Sequence, residues 1–228
     1  MRGMTDRAPR AGPLRLAALV SGSGTTLANL IECIADGRLR SVEICLVVSS
    51  RRSVGGVEIA RAAGLPLEII RRIDSPDDQA FSDALTVAID RADVDLVVMG
   101  GFLCLWRFPA RYAGRVVNIH PALLPKFGGP GMHGRHVHEA VLAAGERESG
   151  CTVHLADDQY DHGPIVAQLR VPVLPGDTPE TLAQRVGRAE RELYPQVIQN
   201  VADYGLPWLR EPARTQPPIT CASPPASR

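Results

Sequence analysis

Asn118 and His120 stand two residues apart in the stretch "RVVNIHPALLPK" (115–126). Valines lead into it and Pro121 follows it. In an extended strand, residues i and i+2 project from one face, so the amide and the imidazole point together while Ile119 faces away. Proline cannot continue a central ladder, so the strand ends at Pro121. Two side-chain donors side by side at a strand tip suit a developing oxyanion. The plainer alternative is an Asn and a His satisfied by nearby backbone.

All six histidines fall between His120 and His162, among acids at Asp157, Asp158 and Asp161. The Gly/Pro turn "YDHGPIV" can carry Asp161 over a neighbouring strand end. An Asp beside His120 would favour the imidazolium and raise its pKa. It could also take the proton of an attacking amine. A zinc site is the competing use of the histidines, through His133, His136 and His138. On a helix the first two share a face, but His138 points about 160° from His136. No C-x-x-C or H-E-x-x-H supports metal, so no metal site is expected.

A second constellation, "VSGSGTTLANL" (20–30), places glycines and hydroxyls between an apolar run and a helical one. Amides at the start of such a helix favour an anion, which makes Ser23, Gly24, Thr25 and Thr26 candidate phosphate ligands. A tight turn that binds nothing is the alternative. No lysine follows the second glycine, which excludes a Walker loop, and Leu27 occupies the third position of a G-x-G-x-x-G fingerprint. One phosphate fits better than a pyrophosphate. The stretch "SSRRS" (49–53) could grip the 2′-phosphate of NADP in a reductase, a reading that leaves Asn118, His120 and the Asp turn unused.

These residues must be held by elements, and the sequence supplies them in alternation. Apolar runs at 14–20, 42–50, 65–70, 94–102 and 115–120 are separated by helical patterns. The runs are nearly continuous Val, Ile and Leu, as in strands covered on both faces, which predicts an α/β fold with an open, mostly parallel sheet. After His120 come a helix ("GRHVHEAVLAAG"), two strands ("GCTVHLAD" and "IVAQLRVPVL") around the loop "DQYDHGP", and a long helix with Thr178 as N-cap and Pro179 at its first position. Open α/β sheets bind ligands at the carboxyl ends of their strands, where both constellations lie.

The predicted organisation is a disordered extension at 1–13, a single domain at 14–209 and a disordered Pro-rich tail at 210–228, with five prolines in the last 18 residues. Within the domain, 14–115 forms a phosphate-binding half and 116–209 a catalytic half. The 25 basic and 25 acidic residues cancel, so whole-molecule charge points to neither nucleic acid nor membrane. Five scattered cysteines without a C-x-x-C pair, and no apolar segment near the start, predict reduced thiols in a cytoplasmic protein.

Five ordered motifs, "SGSGTTLANLIE", "NIHPALLPK", "GMHGRHVHEAV", "SGCTVHLADDQYDHGPIVAQ" and "AERELYP", resemble the folate-dependent phosphoribosylglycinamide formyltransferase family of de novo purine synthesis, from about Leu14 to Trp208. The resemblance implies a Rossmann-like sheet with helices on both faces and a C-terminal antiparallel extension, the formyltransferase fold. It implies that Asn118, His120 and Asp161 are catalytic, that Ser23, Gly24, Thr25 and Thr26 hold the substrate phosphate, and that Glu190 lies at its ribose and glycinamide. It also implies a formyl donor, 10-formyltetrahydrofolate, whose pterin sits among Phe102, Leu103, Cys104, Leu105 and Trp106 and the loop Asp157, Asp158, Gln159, Tyr160. The partners implied are small molecules, 5-phosphoribosylglycinamide and the folate, with the chain a monomer or homodimer.

The sequence departs from the family pattern at several points. Thr26 stands where members often have Asn, and Cys104 where many have Arg, so Arg71, Arg72 or Arg107 is expected to serve the folate tail. "DHGP" replaces "DGGP", and the stretch after Lys126 is longer than in compact members. A formyltetrahydrofolate hydrolase or methionyl-tRNA formyltransferase would add an N-terminal or a basic C-terminal domain, for which no counterpart is expected.

Overall fold

The structure, a computed structural model, describes residues 12–211 and 214–216. Five strands run parallel: β1 (Leu14–Val20), β2 (Val42–Ser49), β3 (Leu67–Ile69), β4 (Leu96–Gly100) and β5 (Val116–His120). Between them lie α1 (Thr25–Ala35), α2 (Gly55–Ala62) and α3 (Asp78–Ala92). Beyond β5, α4 (Arg135–Ala143) leads to β6 (Glu148–Leu155), antiparallel to β5, and β7 (Ile165–Pro172), antiparallel to β6. The helix α5 (Pro179–Tyr204) follows, and β8 (Arg214–Gln216) pairs with β7. Strand order in the eight-stranded sheet is β3-β2-β1-β4-β5-β6-β7-β8. This is the Rossmann-like, mostly parallel sheet with an antiparallel extension that the sequence predicts.

Alternation along the central strands divides the core into two layers. Leu16, Ala18 and Val20 of β1 pack on one face with Leu27 and Leu30 of α1 and Leu182, Val186 and Val197 of α5. Ala17 and Leu19 pack on the other with Phe81, Leu85 and Ile89 of α3. Both parities are buried, which is why these strands read as unbroken apolar runs. The fully buried Tyr194 pins α5 across the sheet, its hydroxyl reaching the carbonyls of Met99 and Val117 at 3.0 Å each. Thr178 caps α5 in a reciprocal box with Thr181.

The sheet reverses its winding between β1 and β4, the position where an open α/β sheet leaves a crevice. Backbone Ser21 N–H donates to Gly101 O at 3.1 Å, and the Ser21 hydroxyl accepts from Leu103 N–H at 3.0 Å. Two strand ends are thereby locked together at the crevice.

The predicted domain closes on a short turn, and three residues of the predicted tail lie beside the sheet. A short 3-10 turn, Leu206–Arg210, buries Trp208 and Leu209 against the core, and Arg214–Gln216 add a parallel edge strand to β7. Backbone pairing to an open edge needs no apolar periodicity, so it leaves no pattern to read in advance. Positions 1–11, 212, 213 and 217–228, where the rest of the disorder was expected, lie outside the described residues. No helix among the described residues is long and apolar enough to cross a membrane.

Candidate active site

The glycine–hydroxyl loop is shaped by backbone packing. Gly24 precedes α1 with φ of 75°, and a Cβ there would lie 2.4 Å from Cα of Gly56, so only glycine lets the loop lie on α2. Gly24 offers no side-chain cap to α1, which leaves the first-turn amides to face the cleft. Gly100 approaches Thr26 as closely: a Cβ there would lie 2.6 Å from Cβ of Thr26. Ser23 and Thr25 are exposed and Thr26 is half-buried, and all four loop candidates line one large cleft.

At the other end of that cleft the tip of β5 presents its two residues. His120 is buried, with Nδ1 at 3.4 Å from Asp161 Oδ2 and Nε2 at 2.8 Å from Phe127 O. Asp161 Oδ2 also accepts from Gly129 N–H at 3.0 Å, and Oδ1 lies 3.4 Å from Asn118 Nδ2. The three side chains therefore meet, although they come from a strand tip and a turn 41 residues beyond it. Asp161 has φ of 52°, an uncommon backbone state for a residue with a side chain.

A fourth member was not foreseen. His154 of β6 lies opposite Asn118 in the antiparallel register, and its Nε2 is 3.0 Å from Asn118 Nδ2. Its Nδ1 donates to Leu155 O at 2.9 Å, which turns Nε2 toward the Asn118 amide and the Asp161 carboxylate. The same Nε2 lies 3.6 Å from Asp161 Oδ1. The signal was the "TVHL" alternation, but it becomes legible only once β6 is known to pair with β5 in that register.

Electrostatics corrects one expectation. Burial depresses the His120 pKa below its ordinary value and outweighs Asp161 and the Phe127 carbonyl, which pull it up. The resting ring is thus neutral, its single proton best placed on Nε2 toward Phe127 O. For Asp161, burial alone would raise the pKa, but His154, His120 and the Gly129 N–H together hold it below the usual carboxylate value. The site at rest is a carboxylate beside a neutral imidazole, ready to accept a proton.

The cleft has a volume of about 950 Å³ and runs from the α1 amides past Asn118 and His120 to α4 and α5. Glu190 lines it, and burial pushes its carboxyl up to about 7, with Arg191 opposing. A hollow of about 60 Å³ opens beside Asn118 and Asp161, bounded by Phe102, Cys104, Leu105, Asp157, Gln159 and Tyr160. Leu103 faces the large cleft instead, and Phe102 and Tyr160 border both.

Two members of the expected folate set differ from the rest in their surroundings. Trp106 borders the hollow, but its indole is buried, stacked edge-on against Phe108, with its N–H near Ser82 O and Thr86 Oγ1 at 3.2 Å each. It is a core side chain that supports the wall. Asp158 is exposed and borders neither space. Arg72 and Arg107 share Asp78 as a partner, while Arg71 pairs with Asp74. No cluster of three or more His, Cys, Asp or Glu among the described residues is arranged for a metal.

Comparison with known proteins gives a consistent set of likenesses. Residues 14–198 match the family model described as formyl transferase. The chain is 40% identical over 203 residues to phosphoribosylglycinamide formyltransferase of Mycobacterium tuberculosis, covering 88% of this chain and 90% of that protein. It is 40% identical to the trifunctional purine biosynthetic protein adenosine-3 of Drosophila pseudoobscura, over 89% of this chain but only 15% of that far longer one. Among solved structures, phosphoribosylglycinamide formyltransferase of Coxiella burnetii in complex with CHES superposes with a TM-score of 0.77 at 39% identity, covering 84% of this chain and 88% of that one.

Proposed function

Because this chain belongs to the formyl transferase family, we propose that it transfers the formyl group of 10-formyltetrahydrofolate to the primary amine of 5-phosphoribosylglycinamide, a step of de novo purine synthesis. The observation that carries this reading is one cleft with Asn118, His120 and Asp161 at one end and the uncapped α1 amides at the other. An amine bearing a distant phosphate fits that separation.

In this reading the phosphate lies on Ser23 to Thr26, the ribose and glycinamide reach Glu190, and the amine points at the tip of β5. The donor's pterin takes the hollow walled by Phe102, Leu105 and Tyr160. Residues 14–115 thus supply the phosphate site and part of the donor wall, and 116–209 supply the catalytic groups. Four free cysteines among the described residues accord with a cytoplasmic setting.

The amine attacks the formyl carbon, a C–N bond forms, and the carbonyl oxygen becomes an oxyanion. Asn118 Nδ2–H and a His120 N–H stabilise that charge, an interaction stronger in the transition state than in the ground state. The proton lost by the amine passes, through water, to the Asp161–His120 pair. His120 is neutral at rest, so the growing negative charge and the Asp161 carboxylate favour its second proton at the moment it is useful. Collapse expels the folate nitrogen, which takes a proton, and leaves the formylated amine.

The test is an assay with both substrates in which formylated amine and free formate are separated by mass. Formylated amine is expected from the wild type, with turnover cut by about 10² or more in Asp161→Asn. Formate alone would show water as the acceptor and make the chain a hydrolase. An unchanged rate in Asp161→Asn would remove the proposed proton acceptor.

A further inference from the structure

His162 takes no part in the reading above. It follows Asp161 directly, its ring is largely exposed, and it borders neither the cleft nor the hollow. Its Nδ1 nevertheless lies 2.8 Å from Asp157 Oδ2. A carboxylate oxygen only accepts, so Nδ1 is the donor. The other oxygen, Oδ1, accepts from Gln159 N–H at 2.9 Å. One carboxylate thus binds both the middle and the far end of the loop between β6 and β7.

That loop has two duties. Asp157, Gln159, Tyr160 and Asp161 wall the hollow, and Asp161 also reaches His120. The base of the loop is fixed by backbone: Ala156 N–H donates to Val116 O at 2.9 Å and Leu155 N–H to Pro164 O at 2.8 Å. Gly163 closes against Leu155 so tightly that a Cβ would lie 1.9 Å from Leu155 O. Above this base the chain holds Asp161 at φ of 52°, a state that persists in a residue with a side chain only where its surroundings impose it. Gly129 N–H grips the Asp161 carboxylate on one side. On the other, the His162–Asp157 bond ties the chain one residue beyond the strained position.

We propose that His162 is a positioning residue, which through Asp157 closes residues 157–162 into a ring that sets both the wall of the donor hollow and the aim of Asp161. The inference rests on the reading of the hollow as the donor pocket. The tie lies at the surface, so losing it leaves the fold intact and loosens only the loop.

The experiment compares the full-length wild type with His162→Ala, His162→Asn, Asp157→Ala and the double Ala variant. In His162→Ala the KM for 10-formyltetrahydrofolate should rise and kcat should fall, each by at least about threefold, the size expected of one hydrogen bond. The KM for phosphoribosylglycinamide should stay within about twofold and Tm within about 3 °C. Asn, whose Nδ2 can stand where Nδ1 does, should recover most of the loss. Adding His162→Ala to Asp157→Ala should cost nothing further, because His162 acts through that carboxylate. A change below about threefold in either constant, an Asn variant as impaired as Ala, or an undiminished loss in the Asp157→Ala background would overturn the proposal. Two readouts need no turnover. Tetrahydrofolate, titrated by calorimetry, should bind at least about threefold more weakly to His162→Ala, and the Gln159 amide should exchange its hydrogen faster there by a similar factor. If the wild type makes no formylated product, or does not bind tetrahydrofolate, the reaction or the donor-pocket reading fails. The exchange of Gln159 still decides the tie, and an unchanged rate in His162→Ala would overturn it.

Discussion

Thr152 is fully buried in β6, opposite His120, and its hydroxyl joins three segments. It donates to Ala122 O at 2.6 Å and accepts from Leu124 N–H at 3.1 Å and from Gln168 Nε2 at 2.9 Å. The turn that leaves the strand of Asn118 and His120 is therefore tied to β6 and β7 by one oxygen. Thr152→Val keeps the shape and removes that oxygen. Leu124 N–H and Ala122 O are then buried without partners, while Gln168 keeps its bond to Leu124 O. At about 1–3 kcal/mol for each unsatisfied buried group, less the small apolar gain of a methyl, the net loss should be about 2–4 kcal/mol. For a domain of this size that lowers Tm by about 10 °C. Urea unfolding should show a lower midpoint at unchanged slope, and Thr152→Ser should restore most of the loss. Turnover should fall further than stability alone explains, because the turn after His120 loosens. A Val variant within about 0.5 kcal/mol of the wild type would refute the reasoning that this hydroxyl is the tie.

Asn118→Ala removes the proposed oxyanion donor and should lower kcat by about 10²–10³ while leaving both KM values within about threefold, read by steady-state kinetics. Glu190, with its carboxyl near 7, is neutral below that pH and anionic above it. As the proposed acceptor of ribose hydroxyls it should make the KM for phosphoribosylglycinamide fall as pH rises from about 6 to 8, and Glu190→Gln should flatten that profile. Asp177 is held well below the usual carboxylate range by Arg185, with Leu174 N–H and the Thr181 hydroxyl adding to the effect. Its folded pKa is depressed, so its stabilisation is complete above the unfolded value of about 3.9 and is lost as pH falls below it. Asp177→Asn should therefore cost about 3 kcal/mol at pH 7, with the gap to wild type closing in strong acid, as measured by denaturant midpoints.

Local rules carried much of the fold. The unbroken apolar runs of β1, β2, β4 and β5 required cover on both faces, and Thr178–Pro179 marked the start of α5 to the residue. The pairing of Asn118 with His120 followed from strand periodicity alone. What needed three dimensions was registry between strands: His154 meets Asn118 only because β6 runs antiparallel at one offset, and a shift by one residue would turn its ring to the opposite face. Trp106 shows the same limit, since an aromatic near a strand end reads alike as ligand wall or as core until its N–H is seen spent on Ser82 and Thr86. The His120 pKa misled for a different reason. The neighbouring carboxylate is visible in sequence, whereas the degree of burial that outweighs it is a property of the whole assembled tip.

The backbone under Asp161 limits what can become of this enzyme by mutation. A positive φ is most readily shared by asparagine and glycine, neither of which carries an acid. Glutamate, the one other carboxylate, is a less comfortable guest there and reaches one carbon too far. On the proposed role of Asp161, the exchanges that the backbone accepts best are thus the ones that remove its acid, and a descendant could stay folded and ligand-competent while losing its reaction in a single step.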